Sequence, residues 1–242
     1  MGTKLDFDFL DYKINSHLEI TKLVDGVVIN TLNPHSFVVA RKDIVFKNAL
    51  ISSDFLIPDG IGIVWGINML HSIRINRISG FDLFKELMIE ADKNGKKCFF
   101  LGSSEIVLRE IRTRCSIEFP NVEVGTLSPP FKEFFNDEDN LEMINTINDF
   151  NPNYLFVGMT APKQEKWLFE NRSKLKFDAA ASIGAVFDFY AGTVKRPSQF
   201  WINLGLEWFP RFLKEPRRLW RRNFISTPIF IYEVFKAKYI SR

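Results

Sequence analysis

The sequence predicts an α/β protein whose mostly parallel sheet is covered by helices on both faces. Short apolar runs alternate with longer amphipathic segments from residue 26 to about residue 183, and Gly, Pro, Asp and Asn separate them. Strands that alternate with helices in this way form βαβ units, which build parallel sheets. A chain of 242 residues has room for one large α/β domain and an appendage.

The individual elements follow in chain order. Strand-like runs occupy residues 26–32, 54–58, 97–101, 122–124, 154–157 and 179–183, and helical patterns occupy 34–50, 61–70, 81–94, 104–119, 141–150 and a segment that begins near 162. Gly95 is a residue type that ends helices, and Pro162 is favoured in a first helical turn. Prolines divide the chain after Gly192 into short helices, and no further strand is predicted there.

Charge is divided unevenly along the chain. Residues 195–242 hold 11 Lys and Arg against three Asp and Glu, a net charge of +8, whereas residues 1–194 have a net charge of −5. The basic segment is also rich in Trp, Phe and Tyr, and this mixture suits an anionic lipid interface or another polyanion. We therefore divide the chain into a sheet domain over 1–194 and a basic, aromatic helical appendage over 195–242.

The composition also indicates the cellular compartment and whether a metal site is expected. The acidic start of the chain is unlike a secretory signal peptide, and two cysteines, Cys98 and Cys115, are typical of a reduced cytosolic protein. Neither cysteine has a histidine at metal-ligand spacing, so no metal site is predicted. No apolar stretch approaches the roughly 20 residues that span a bilayer, so any membrane contact is expected to be peripheral.

The carboxyl ends of the predicted strands are where a ligand is expected, because parallel sheets bind ligands at that edge. The candidate segments are residues 31–33, 59–62, 102–104, 158–164 and 184–188. Asp59 is a candidate general base, although a turn aspartate or a helix N-cap explains it from spacing alone. Gly102 opens a helix whose N-terminus favours an anion such as phosphate, and a serine N-cap explains that segment about as well.

Further side chains at this edge could meet an anionic ligand. Lys163 and Gln164 lie in the first turn of a helix, where a lysine hints at a bound anion, although a solvated amphipathic helix is the alternative. Arg77 could hold a phosphate with its planar guanidinium, or pair with Asp82 at the surface. Asp188 could accept hydrogen bonds from a ribose or a base, or cap a helix or pair with a nearby lysine.

The appendage carries a run of cationic residues between positions 211 and 222. Arg218 and Arg222 are four residues apart, as are Arg217 and Arg221, so a helix would present a broad cationic face. A solvated charge run is the usual alternative. The interleaved Trp and Phe side chains argue against that alternative, because a solvated face has no use for them.

Seven segments in series resemble one family of enzymes, the WecG/TagA/CpsF glycosyltransferases (family GT26). They read TLN at 31–33, PDGIGIVW at 58–65, RISGFD at 77–82, LGS at 101–103, GMTAPKQEKW at 158–167, GAVFDFYAG at 184–192, and LEW at 206–208 with EPRR at 215–218. The resemblance implies a Rossmann-like fold of the type called GT-E. It also implies inverting transfer of a sugar from a UDP-sugar to a polyprenyl-diphosphate-linked sugar.

The resemblance further implies a setting for this reaction. The best-known members transfer N-acetylmannosamine or its uronic acid in teichoic acid or enterobacterial common antigen synthesis, and others use donors such as UDP-glucose for capsule or exopolysaccharide. We therefore expect a peripheral protein on the inner face of the cytoplasmic membrane, with the anionic membrane surface as a partner. The family lacks the D-x-D motif, so neither a metal nor another cofactor is expected. A homo-oligomer stays open.

The resemblance assigns roles residue by residue. Asp59 matches the proposed catalytic base, and the positions on the donor side are Thr31, Asn33, Arg77, Gly102, Gln164 and Asp188. The arginines that match the acceptor-diphosphate and membrane positions are Arg211, Arg218 and Arg221. His35 stands where members vary and receives no role.

Two other function classes stay open. A nucleic-acid-binding module would show steeply salt-dependent binding, but nothing in residues 1–194 supports one, so no nucleic acid partner is expected. A non-catalytic sugar-nucleotide-binding protein is the second, and the presence of Asp59 and Arg77 favours an enzyme over it. We expect a chain that ends near Lys195 to keep its sheet and to lose transfer to a lipid-linked acceptor.

Overall fold

A six-stranded, wholly parallel sheet forms the centre of the computed structural model, which describes residues 6–198, 200–201 and 206–240. Its strands are β3 (Val27–Leu32), β4 (Phe55–Pro58), β5 (Lys97–Gly102), β6 (Glu123–Leu127), β7 (Tyr154–Gly158) and β8 (Ala179–Ser182), in the order β4-β3-β8-β7-β5-β6. An antiparallel hairpin of β1 (Asp6–Phe9) and β2 (Tyr12–Asn15) precedes the sheet. The predicted α/β class is confirmed.

Helices connect and cover the strands. They are α1 (Pro34–Ala40), α2 (Ile44–Ile51), α3 (Ile61–His71), α4 (Gly80–Asn94), α5 (Glu105–Glu118), α6 (Asp137–Phe150), α7 (Lys163–Asn171), α8 (Val186–Ala191), α9 (Trp208–Lys214), α10 (Pro216–Trp220) and α11 (Thr227–Tyr239). A π-helical segment, Arg221–Ser226, joins α10 to α11. Within the described ranges, no helix is long and apolar enough to cross a membrane.

The sheet is buried on both faces, as its parallel strands require. Residues of α4, α5 and α8, such as Phe84 and Phe187, pack with Phe100 of β5 on one face. Residues of α6 and α7, such as Trp167, pack with Phe99 on the other face. Neighbouring residues of one strand therefore serve opposite sides of the sheet, which is the alternation that a strand imposes.

A third hydrophobic cluster joins the hairpin to the last helix of the appendage. Phe230 and Val234 of α11 are fully buried among Phe9, Phe37 and other residues of β1, α1 and α3. Gly66 of α3 permits this approach, since a Cβ there would lie 2.9 Å from the Phe9 ring and 3.2 Å from the Phe230 ring. The appendage thus shares a core with the sheet domain, while the boundary between residues 194 and 195 stays a prediction.

The element boundaries differ from the predicted ones in three places. The single helix predicted over 34–50 is wrong: it is divided into α1 and α2, because the Asp43 side chain accepts the Phe46 N–H at 3.0 Å and begins a new helix. Helix α6 begins before the predicted residue 141, at a capping box between Asn136 and Asp139. The hairpin of β1 and β2 lies in a segment for which no structure was predicted.

Candidate active site

Thr31, Asn33 and Asp59 lie together at the ends of two adjacent strands. Strand β3 pairs with β4 so that Leu32 lies opposite Pro58, and the Asp59 N–H donates to the Leu32 carbonyl at 2.9 Å. Asn33 caps α1, where its Oδ1 accepts the N–H groups of the following turn at 3.0 Å each. The sheet therefore fixes the backbone of Asp59, and the start of α1 fixes the side chain of Asn33.

Asp59 is half-buried and lies just before α3. The N-cap of α3 is Gly60, a residue that has no side chain to cap the helix. Gly60 has a φ of 87°, a conformation that favours glycine. The alternative that Asp59 is the N-cap of this helix is therefore wrong, whereas a turn aspartate stays open as the other alternative and the role of general base stays a prediction.

The loop that carries Arg77 borders the same strand end. The Ile78 N–H donates to the Pro58 carbonyl at 3.3 Å. The Arg77 guanidinium donates to Glu207 of the appendage, with Nη1 2.9 Å from Oε2. The alternative pairing with Asp82 is wrong, because Asp82 instead contacts Arg196 at 3.6 Å. Arg77 thus lies between the sheet domain and the appendage.

Gly102 and Gly158 lie opposite each other at the ends of β5 and β7. Gly102 has a φ of +122°, and a Cβ there would lie 2.5 Å from the Gly158 carbonyl oxygen, so only glycine fits. Ser104 caps α5 by accepting the Val107 N–H at 3.4 Å, which confirms the serine N-cap. Anion binding beside Gly102 stays a prediction.

Gln164 lies in the first turn of α7, after the loop that follows β7, and its side chain is buried. Its Oε1 accepts the Met159 N–H at 3.1 Å, and its Nε2 donates to Glu165 Oε1 at 2.9 Å. The neighbouring Lys163 points elsewhere: its ammonium group lies 3.6 Å from the centroid of the Phe135 ring and contacts the Lys132 carbonyl. Lys163 is thus engaged by the loop that follows β6.

Asp188 lies on α8, at the border of a cavity between that helix and the appendage. The cavity has a volume of about 110 Å³, and its charged lining residues are Asp188, Lys195, Arg196, Lys214 and Glu215. The three cationic side chains of this lining outnumber its two carboxylates, so the cavity has a net positive charge that favours an anionic group. The cavity links the donor side of the predicted site to the appendage.

Two polar contacts hold the end of the appendage against α1. His35 Nδ1 lies 2.9 Å from Ser226 Oγ, and Arg41 forms an ion pair with Glu233 at 2.5 Å. Burial lowers the pKa of His35, and the positive charge of Arg222 lowers this pKa further. His35, which received no role from the sequence, therefore connects the helix that Asn33 caps to the π-helical segment of the appendage.

The predicted acceptor arginines lie on the appendage. Arg221 is exposed, with its guanidinium 5.7 Å from the centroid of the Trp220 ring. The side chains of Arg211 and Arg218 lie outside the part of the chain that the structure describes. The roles of all three arginines stay predictions.

The site brings a carboxylate, polar side chains and a guanidinium to one edge of the sheet. Asp59 lies beside polar side chains and glycine-rich backbone, and Arg77 supplies a positive charge at the same edge. Across the described segments, no group of three or more His, Cys, Asp and Glu side chains could hold a metal ion. The sequence-based prediction missed Glu207 and Glu165. Glu207 lies in the LEW segment of the predicted motifs, and Glu165 lies in the KQE segment.

Comparison with known proteins identifies the family. The sequence model of the glycosyl transferase WecG/TagA/CpsF family matches residues 5–242. The chain is 33% identical over 230 residues to the N-acetylglucosaminyldiphosphoundecaprenol N-acetyl-beta-D-mannosaminyltransferase of Bacillus subtilis (strain 168), covering 95% of this chain and 86% of the relative.

Two further relatives carry the same enzyme name. The one from Bacillus spizizenii (strain ATCC 23059 / NRRL B-14472 / W23) is 34% identical over 95% of this chain and 88% of its own length. The one from Staphylococcus aureus (strain MW2) is 27% identical over 88% of this chain and 82% of its own length. Together with the family match along almost the entire sequence, these similarities show that the chain is a glycosyltransferase that belongs to the WecG/TagA/CpsF family.

Proposed function

We propose that this glycosyltransferase moves N-acetylmannosamine, or its uronic acid, from a UDP-sugar to a polyprenyl-diphosphate-linked sugar. The relatives' names describe transfer of N-acetyl-beta-D-mannosamine to N-acetylglucosaminyldiphosphoundecaprenol. The product would enter bacterial teichoic acid or another cell-surface polysaccharide. The observation that carries the proposal is the position of Asp59, which lies beside Asn33 and the Arg77 loop at the carboxyl edge of the sheet.

Asp59 acts as the general base in this mechanism. Its carboxylate takes the proton of the acceptor hydroxyl, whose oxygen then forms a bond to the anomeric carbon of the donor. The bond between that carbon and the UDP oxygen breaks, and its electron pair stays with UDP. A single displacement of this kind inverts the anomeric carbon and needs one base, without a covalent enzyme intermediate.

Positive charge and helix ends stabilise the departing UDP. Arg77 lies at the edge near Asp59, and the N-termini of α5 and α7 follow Gly102 and Gly158 at the same edge. Fixed donors and cations of this kind stabilise charge that develops on a leaving group. Asp188, together with the cationic cavity beside α8, holds the nucleotide part of the donor. No metal takes part in the reaction.

The appendage holds the enzyme on the inner face of the cytoplasmic membrane. Trp220 and Phe224 expose 44% and 57% of their surface, and Trp208 and Phe212 pack against Phe224 in the same aromatic group. Large exposed rings beside cationic side chains favour an anionic lipid interface. Arg211, Arg218 and Arg221 would meet the diphosphate of the lipid-linked acceptor there.

A panel of UDP-sugars, incubated with a short-chain polyprenyl-diphosphate-GlcNAc, tests this proposal. The product is identified by its mass, and UDP release reports turnover. We expect UDP-N-acetylmannosamine or its uronic acid to give the highest kcat/KM. Higher turnover with UDP-glucose would assign the chain to capsule or exopolysaccharide synthesis. Binding of UDP without transfer from any donor would instead indicate a non-catalytic sugar-nucleotide-binding protein.

A further inference from the structure

Two consecutive polar side chains are buried at the start of α7. Gln164 is 4% exposed and Glu165 is 3% exposed. Burying a carboxyl group is unfavourable unless hydrogen bonds compensate for the lost water. In the described part of the chain, Glu165 Oε2 has no hydrogen-bond partner, and burial raises the pKa of this carboxyl to about 7. Stability alone therefore gives no reason for a carboxyl group at this position.

The contacts of the two side chains allow only one orientation of the Gln164 amide. The Met159 N–H needs an acceptor, and Gln164 Oε1 supplies it at 3.1 Å. Glu165 Oε1 accepts from Gln164 Nε2 at 2.9 Å. A flipped amide would set its NH2 group against the Met159 N–H and its oxygen against the carboxyl oxygen, so both hydrogen bonds would be lost.

The oriented amide lies at the carboxyl edge of the sheet. Met159 directly follows β7, and Gly184 lies two residues after the end of the neighbouring β8. A Cβ on Gly184 would lie 3.6 Å from both polar atoms of the Gln164 amide, so the amide lies alongside the Gly184 backbone. One N–H of Gln164 Nε2 is used by Glu165, and the described residues supply no acceptor for the second N–H.

We propose that Glu165 is a positioning residue, which fixes the Gln164 amide so that its second N–H meets the sugar nucleotide. This inference rests on the proposed function. A carboxyl group accepts the Gln164 N–H through Oε1 whether it is ionised or protonated. The side chain of glutamine at position 165 can accept it as well, whereas methionine, with a similar length and no acceptor oxygen, cannot.

That difference supplies a matched pair of variants. We expect Glu165→Gln to keep kcat/KM for the donor within about threefold of the unchanged protein. We expect Glu165→Met to lower kcat/KM about tenfold, chiefly through a higher KM, which corresponds to the loss of one oriented hydrogen bond. Glu165→Asp moves the acceptor oxygen away because its side chain is shorter, so we expect its kcat/KM to drop as much as that of Glu165→Met. It replaces Glu165→Met if the methionine variant does not fold.

A double-mutant cycle separates positioning from plain structural support. If Glu165 acts through Gln164, the variant with both Gln164→Ala and Glu165→Met has the same kcat/KM as Gln164→Ala alone. Asn171→Ala is the control for stability, because Asn171 is also buried on α7 and donates to the Trp167 carbonyl at 2.9 Å. That control should lower the melting temperature without changing KM for the donor.

Three results would overturn the inference. They are unchanged kinetics in both Glu165→Met and Glu165→Asp, losses that multiply in the double variant, and a loss in Glu165→Gln as large as that in Glu165→Met. With an active parent protein, any of these leaves the proposed function intact. A parent protein that transfers no sugar from any UDP-sugar overturns the proposed function, and the inference falls with it.

Discussion

Arg77 Nη1 lies 2.9 Å from Glu207 Oε2, so an ion pair joins the carboxyl edge of the sheet to the appendage. The two side chains are only 17% and 20% exposed. Removing one member of such a pair leaves a charge that water reaches poorly, which destabilises the fold. Under the proposed function, the diphosphate of the donor also competes with Glu207 for the guanidinium. Donor binding and the position of the appendage are then coupled.

Replacing Glu207 by glutamine tests this coupling. We expect Glu207→Gln to lower the free energy of unfolding by about 1–3 kcal/mol, the usual contribution of a hydrogen bond to a charged group. We also expect severalfold tighter binding of UDP, because the competing carboxylate is gone. Urea denaturation and titration calorimetry measure the two effects. Arg77→Gln is the control, and weaker UDP binding in both variants would contradict the competition.

Asp59→Asn should lower turnover by about 10²- to 10⁴-fold, which is the usual contribution of a general base. The backbone bond from Asp59 to Leu32 does not involve the side chain, so the fold and the affinity for UDP should be retained. Asp25→Asn is the matched control, because Asp25 lies just before β3, at the opposite edge of the sheet. Turnover near normal in Asp59→Asn would remove this residue from the role of base.

The site at the ends of β3 and β4 could be predicted because its signals are local. Asn33 and Asp59 each follow an apolar run, and parallel strands bring such ends to one edge. The break between α1 and α2 could not be predicted as easily. The apolar pattern continues through it, and the capping bond from Asp43 to Phe46 is what divides the helix.

The residue pairs that link the appendage to the sheet domain could not be predicted from the sequence. Arg77 and Glu207 are 130 positions apart, and His35 and Ser226 are 191 positions apart. Which polar groups meet over such separations depends on how α11 packs on the hairpin and α3, and no local pattern encodes that packing. The positive charge of the appendage could be read from its composition. The burial of Phe230 could not, because the appendage contains many other aromatic residues.

The free energy of unfolding should depend on pH because Glu165 titrates. Burial raises the pKa of this carboxyl from its ordinary value of 4.5 to about 7 in the folded state. Between those values the folded protein binds a proton that the unfolded chain has released, so this group lowers stability as the pH rises through the window.

Glu165→Gln removes that titration. We expect the variant to gain about 1–3 kcal/mol of stability relative to the parent on going from pH 5 to pH 8, since one pKa unit corresponds to about 1.4 kcal/mol. Urea denaturation of both proteins at the two pH values measures the change, because all other groups titrate alike in parent and variant. If parent and variant differ in stability by the same amount at pH 5 and at pH 8, the pKa of the Glu165 carboxyl is not raised in the folded protein.

Chelation should leave the activity unchanged. The proposed mechanism uses Asp59 as the base and cationic side chains for the leaving group, so it gives no role to a divalent ion. Transfer measured after dialysis against EDTA should match transfer in the presence of added Mg²⁺. A loss with EDTA that Mg²⁺ restores would show that a metal ion stabilises the departing UDP.

Membrane binding should depend on exposed aromatic residues of the appendage rather than on its buried ones. Trp220 and Phe224 are exposed, whereas Phe230 is fully buried in the core that α11 shares with the hairpin. Phe230→Ala should therefore destabilise the whole protein by about 3–5 kcal/mol. A chain that ends near Lys195 removes this residue too, so point variants test the membrane role more cleanly than truncation.

The double variant Trp220→Ser/Phe224→Ser should weaken binding to phosphatidylglycerol-rich vesicles about a hundredfold or more, because each ring buried at the interface contributes on the order of 1.5–3 kcal/mol. Its affinity for UDP should stay close to that of the parent, and its melting temperature should fall slightly because Phe224 also packs against Trp208 and Phe212. Phe131→Ser/Phe134→Ser is the matched control, since both residues are exposed aromatics on the loop after β6, outside the appendage. Equal loss of vesicle binding in the two double variants would mean that the appendage does not direct the protein to the membrane.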